Sequence, residues 1–279
     1  MRTIPGALAT HMAQGSTTLA YLLKITRLDG AVFAFTSSAS DVISASVTYL
    51  ASPGLDASGL VTSAGLSVDN LELTTLDDGT TFTRDDVLTG KWRNAAFTIS
   101  RCNFRAPADG VDVLMVGTLG NVALRDGHVV AELRALQQIL QQPIGSVSSK
   151  TCRARLGDTL CAVNLASWTY SATVTSLSSN QVFTASSLAQ AADYFGEGIL
   201  TWTSGPSAGL VYKVKLHAAG GVLTLMLPPL LTVAVGQTFN IVAGCRKRLE
   251  DCRAKFNNVL NMQAEPHLPG VDALSSPPT

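Results

Sequence analysis

Apolar residues recur mostly at alternate positions in short runs, and turn dipeptides separate the runs. Residues 19–26 alternate loosely, Leu28-Asp29-Gly30 supplies a turn, and 32–35 returns with β-branched and aromatic side chains. The same signature predicts strands over 43–49, 71–75, 96–99, 111–117, 122–124 and 129–133, with turns at Asp78-Gly79, Asp109-Gly110 and Asp126-Gly127. Two stretches read as helices. In 83–88, Thr83 would cap and Asp85 and Asp86 would sit in the first turn, where the helix dipole favours them. In 132–141, Leu133, Leu136, Ile139 and Leu140 have helical spacing, and Pro143 and Gly145 end the run. The small polar residues 146–150 mark a domain boundary near residue 148.

Beyond it the pattern is again that of strands: 169–175, 182–185, 198–203, 210–216, 223–227 and 239–242. A short helical turn is predicted at 188–194 and a final helix over 246–260. The most apolar region, 222–235, is interrupted by Pro228 and Pro229, is too short to span a bilayer, and reads as strand, turn, strand. The predicted class is mainly β with minor α. It comprises a β-rich N-terminal domain over 1–148, a cysteine-containing domain over 149–265 ending in a helix, and a Pro-rich tail over 266–279.

Composition narrows the function. Charged residues make up only 14% and formal net charge is zero, which fits a subunit covered by partners better than a freely diffusing monomer. It argues against a nucleic-acid binder, which needs an excess of Lys and Arg over the phosphates. Residues 1–30 lack a basic segment followed by an unbroken apolar stretch, so no secretory signal is expected and the thiols are expected to meet a reducing cytoplasm.

The candidate chemistry lies in four cysteines, Cys152 and Cys161, then Cys245 and Cys252, arranged C-x8-C…C-x6-C. Three fates are open. Zinc needs four ligands at about 2.3 Å and takes pairs about two to four residues apart, closer than these. If Cys245 and Cys252 share a helix they are i and i+7, about 10 Å apart along its axis, a wide span for one ion. An iron–sulfur cubane takes one thiolate per corner and tolerates that span better. Local disulfides, Cys152–Cys161 and Cys245–Cys252, are the third fate, and the helical pair would have to unwind to form one. Arg153, Arg155, Arg246, Lys247, Arg248, Arg253 and Lys255 flank the thiols and are expected to depress their pKa values. Cys102 reads as a small buried hydrophobe.

Other constellations carry less. Cys102 with His128 lacks any group to orient the histidine, and His11, His128, His217 and His267 show no metal-ligand spacing. Asp77-Asp78 and Asp85-Asp86 are what turns and helix starts use. No phosphate-binding glycine motif is present, and Trp92, Trp168 and Trp202 do not interleave with basic residues. No enzymatic activity is expected.

Several runs do resemble a known family. They are Phe195-Gly196-Glu197-Gly198-Ile199-Leu200-Thr201-Trp202-Thr203-Ser204-Gly205-Pro206, then Gly244-Cys245-Arg246-Lys247-Arg248 leading to Cys252, Lys255-Phe256-Asn257-Asn258, and Pro266-His267-Leu268-Pro269-Gly270. With Cys152-Arg153-Ala154-Arg155-Leu156-Gly157-Asp158 and Cys161 they resemble the tail-tip (baseplate) hub proteins of long-tailed phages and gene transfer agents. The cysteine spacings are similar to those of lambda-type minor tail protein L. The resemblance implies β-barrel hub domains in a homotrimeric ring at the virion tail tip, assembled in the host cytoplasm. It also implies partners: a distal tail protein, a central fibre or baseplate protein and a tape measure protein, with DNA passing through the channel unbound. It implies a [4Fe-4S] cluster on Cys152, Cys161, Cys245 and Cys252, with Cys102 at no ligand position. Two departures bear on the tail segment: residues 261–266 replace an aromatic and glycine-containing run, and Arg246 stands where an acidic residue is common. Against this structural role stand two alternatives, an iron–sulfur redox carrier and a zinc-stabilised β-rich binding module.

Overall fold

The structure, a computed structural model, describes residues 3–51, 56–57, 70–76, 82–141 and 144–269. The predicted Asp78-Gly79 turn and the tail beyond residue 269 lie outside the described residues. The chain is mainly β, its sheets include a half-barrel, and its helices are few and short. It divides into two compact units, Met1–Ile144 and Gly145–Thr279.

The first unit opens with a helix that the alternation did not announce, α1 (Gly6–Met12), which buries Leu8. Among the described residues nine strands follow: β1 (Leu19–Thr26), β2 (Val32–Thr36), β3 (Val42–Ser44), β4 (Val47–Ala51), β5 (Asp56–Ala57), β6 (Asn70–Leu76), β7 (Ala96–Asn103), β8 (Val111–Arg125) and β9 (His128–Ala135). They form one sheet in the order β3-β4-β2-β1-β7-β8-β9-β6-β5. Neighbours are antiparallel except β2 and β4, which run parallel. Helix α2 (Arg84–Leu88) begins as expected, with the Asp86 backbone N–H donating to the Thr83 hydroxyl at 3.2 Å.

Three predictions need correction here. The run 43–49 is two strands, because Ala45 (φ 48°) and Ser46 (φ 61°) take successive left-handed conformations and fold a two-residue hairpin. Residues 111–125 form one strand, its register shifting at Leu119/Val122 and so absorbing Gly120 and Asn121. The helix expected over 132–141 is mostly β9, because Val129, Ala131, Leu133 and Ala135 alternate into the core while the strand pairs on both edges. Only α3 (Gln137–Leu140) is helical. Strand β1 buries both faces: Leu23 and Ile25 join Phe97, Leu119 and Trp92 in the main core, and Leu22 joins Ala34, Val42, Tyr49 and Cys102 in a smaller cluster.

The second unit contains β10 (Thr169–Thr173), β11 (Ser176–Leu177), β12 (Val182–Thr184), β13 (Ile199–Trp202), β14 (Val211–Ala218), β15 (Val222–Leu225) and β16 (Thr238–Val242), ordered β10-β16-β13-β14-β15-β12-β11. Trp202, Phe183 and Phe239 meet at centroid distances of 5.5–5.7 Å in its core. Residues 188–194 form turns, with no helix, and Asp193 is left-handed at φ 64°. The predicted strand after Pro229 is absent, and β16 starts only at Thr238. The Asn180 amide holds the intervening loop by donating to Pro229 O at 2.5 Å and accepting from Val233 N at 2.7 Å. The final helix is also shorter than expected. Residues 249–250 start a helical turn that widens into a π-turn, Asp251–Lys255, and a 3-10 turn follows at Val259–Asn261.

Candidate functional site

Glycine sets the backbone from which the site is built. A Cβ on Gly244 would lie 1.6 Å from the Gly196 carbonyl oxygen, and one on Gly198 would lie 2.3 Å from that of Val242. Only glycine lets the 195–198 turn pack against the end of β16. Gly244 N–H donates to Tyr194 O at 3.0 Å, so Cys245 leaves the sheet at a fixed point.

The loop carrying the first pair is closed by Asp158. Its carboxylate accepts from the backbone N–H groups of Arg155 (2.7 Å), Leu160 (3.0 Å) and Cys161 (2.7 Å). These bonds hold the carboxyl below its ordinary range. Cys152 N–H donates to Lys247 O at 2.8 Å and Arg153 N–H to Gln263 O at 2.9 Å, so the first cysteine is threaded between the segments that follow Cys245 and Cys252. Ala162 (φ 56°), Lys247 (φ 61°) and Asn257 (φ 47°) are left-handed residues in three of the cysteine-bearing segments, a costly conformation held by these contacts.

The result is one cavity lined by all four sulfur-bearing residues, Cys152, Cys161, Cys245 and Cys252, with Asn258 among them. Its walls are largely apolar, from Ala154, Leu156, Val163, Phe256 and Met262. It holds about 350 Å³ free of protein atoms, part of it open to solvent. None of the four cysteines is in a disulfide, nor is Cys102. Cys102 is fully buried in the first unit, and its thiol is pushed up by that burial. Among the described residues, no three His, Cys, Asp or Glu side chains close to the spacing that would hold a metal ion.

Two site expectations are corrected. Cys245 precedes the helical turn, so the pair 245/252 is not an i, i+7 pair on one helix, and that argument against a single ion lapses. The basic flank does not depress the Cys245 and Cys252 thiols. Burial, the largest influence, raises both, and repulsion from the neighbouring cysteines raises them further. The cations are occupied elsewhere. Arg153 forms a two-pronged pair with Glu265 at 2.8 and 3.0 Å. Arg246 contacts Asp251 and Asp193, each at 3.1 Å. Lys255 Nζ donates to Gly244 O at 2.7 Å and Tyr194 O at 2.5 Å and lies 4.3 Å from the Tyr194 ring centroid. Lys247 and Arg248 do line the cavity, while Arg155 and Arg253 are exposed.

Asp158 and Asn258 stood in the runs that carry the family resemblance, but the supporting roles of Asp158, Asp251, Asn258 and Gln263 were not read from sequence. Asp158 had a readable signal, since a Gly-Asp pair inside a short cysteine loop is turn chemistry. Asn258 had only its place in a run that carries the resemblance, and Gln263 had no signal, since its carbonyl pairs with the distant Arg153 backbone. The histidines stay apart from the site: His11 Nε2 accepts from Thr18 N at 2.9 Å, His128 Nδ1 lies 3.0 Å from Asp126 O, His267 is exposed, and His217 is buried against Phe195.

Comparison with known proteins gives the family. Residues 5–164 match the model described as baseplate hub protein, N-terminal attachment domain, and residues 193–272 match phage conserved hypothetical protein BR0599. Among solved structures, the chain is similar to a chain of the "Virion of native gene transfer agent (GTA) particle" with a TM-score of 0.88 and 32% identity, covering 99% of this chain and 96% of that one. No curated protein matches. The hub model alone spans more than half of the sequence and the virion chain nearly all of it, so this chain belongs to the baseplate hub family found at the tail tip of phage-like particles.

Proposed function

We propose that the chain is a structural, non-enzymatic hub subunit whose second unit is stapled by a [4Fe-4S] cluster held by Cys152, Cys161, Cys245 and Cys252. One observation carries the staple: cysteines from segments about a hundred residues apart line a single cavity. The donor set fits. Four thiolates are the usual ligands of such a cluster, and the apolar walls limit solvent access. A cubane presents a separate iron to each of four thiolates, and the sequence spacings of eight and six residues exceed those of the usual zinc pairs. When bound, the cluster would supply a cross-link between the cysteine-bearing segments and offset part of the charge of the half-buried thiolates. Asp158, Gly244 and the π-turn hold the ligands ready for it. The sequence offers no second constellation with redox chemistry, which favours a staple over an electron carrier.

In the particle, the subunit would form a homotrimeric ring between a distal tail protein and a central fibre or baseplate protein, near the tape measure protein. The sequence is poor in charge and neutral overall, which suits a wall along which DNA slides without sticking. Complementation tests this reading. In particles lacking the native subunit, Cys245→Ser should reduce infectious or transfer-competent yield at least tenfold and Cys102→Ser should leave it unchanged. Equal yields from the two variants would count against the staple.

A further inference from the structure

Asn258 touches both halves of the cysteine site. Its side-chain Nδ2 donates to Cys161 O at 2.6 Å and lies 3.7 Å from Cys161 Sγ, bridging 97 positions of sequence. Its backbone N–H donates to Cys252 O at 2.8 Å, and its carbonyl accepts from the Cys252 thiol at 3.2 Å. Asn261 Nδ2 donates to its Oδ1 at 2.7 Å, which fixes the donor end of the amide toward Cys161. The left-handed turn at Asn257 delivers the residue to the cavity wall.

We propose that Asn258 is the positioning residue of the site: its main chain sets the Cys252 segment, and its amide N–H is the donor that stabilises negative charge on the Cys161 sulfur. The electronic half of this inference rests on the cluster reading above. Hydrogen bonds to cluster sulfurs are among the factors that set reduction potential, because they favour the more negative, reduced state. Asn258→Asp keeps the shape and the acceptor for Asn261 but replaces the donor with a negative charge. Asn258→Ala removes both.

The test uses the full chain purified without oxygen. With iron and sulfide loaded, both variants should show a midpoint potential more negative than that of wild type and lose iron to a chelator several-fold faster. A potential in Asn258→Asp equal to wild type overturns the assignment and leaves the cluster standing. If wild-type protein contains no iron, the cluster reading fails on its own, and the metal-free chain decides for Asn258. There, alkylation by iodoacetamide at fixed pH, read cysteine by cysteine, should be several-fold slower at Cys161 in Asn258→Ala than in wild type, because loss of the donor leaves less thiolate to react, with Cys102 unchanged. Equal rates at Cys161 would overturn the assignment. A variant that retains no iron is read by the same alkylation.

Discussion

Gly244 lies so close to the Gly196 carbonyl that a single methyl group cannot be added without moving one of two backbones. Gly244→Ala should therefore cost about 3 kcal/mol of unfolding free energy. Gly15→Ala, with no atom within 4 Å of the new Cβ, should stay within about 0.5 kcal/mol. Denaturant melts of the two variants against wild type check the contrast. His217 offers a second test at this scale. Burial, its dominant influence, lowers its pKa below 6.5, with the Asp193 charge and the Ala191 backbone pulling upward and Lys255 downward. A base with a depressed pKa stays neutral in the fold, so its contribution is present above pH 6.5 and is lost as pH falls through its folded value. Wild-type stability should drop on going from pH 7.5 to pH 5 more than that of His217→Gln; parallel pH curves would refute this. The four cysteines were legible as a constellation because thiols are rare and their spacing is read directly. The cavity they share was not, since it depends on Cys152 pairing with the Lys247 backbone, and backbone pairing between distant segments leaves no mark in composition.

Among the elements, periodicity served the paired strands well and their ends poorly. β1, β7 and β10 start where the apolar runs put them, although β1 and β7 bury residues on both faces. The helical spacing read over 132–141 misled, since Leu133 satisfies a period of two as well as one of 3.6, and pairing with β6 and β8 settled the choice. The hairpin at Ala45-Ser46 uses left-handed residues other than Gly or Asn, so its turn carried no signal. Capping chemistry was legible, and α2 shows it. Thr83→Ala should cost about 1 kcal/mol in a thermal melt, because the hydroxyl accepts from Asp86 N at the exposed start of the helix. An unchanged melt would mean that the packing of Val87 alone holds this turn.

For the whole molecule, composition pointed to the partner-covered role before any fold was known, and the family comparison bears out the tail-tip assignment. Each unit has its own core, one around Trp92, Phe97 and Leu119 and one around Trp202, Phe183 and Phe239, and the cysteine cavity lies wholly in the second. Calorimetry of the full chain should resolve two transitions. Stripping the metal should lower one by many degrees and leave the other unmoved. The central claim is that four thiolates grip one inorganic core, and elemental analysis tests it most directly. Protein purified without oxygen should contain about four irons and four sulfides per chain, with absorption near 400 nm that Cys245→Ser abolishes. Protein with neither iron nor sulfide, or with one zinc per chain, would contradict the account.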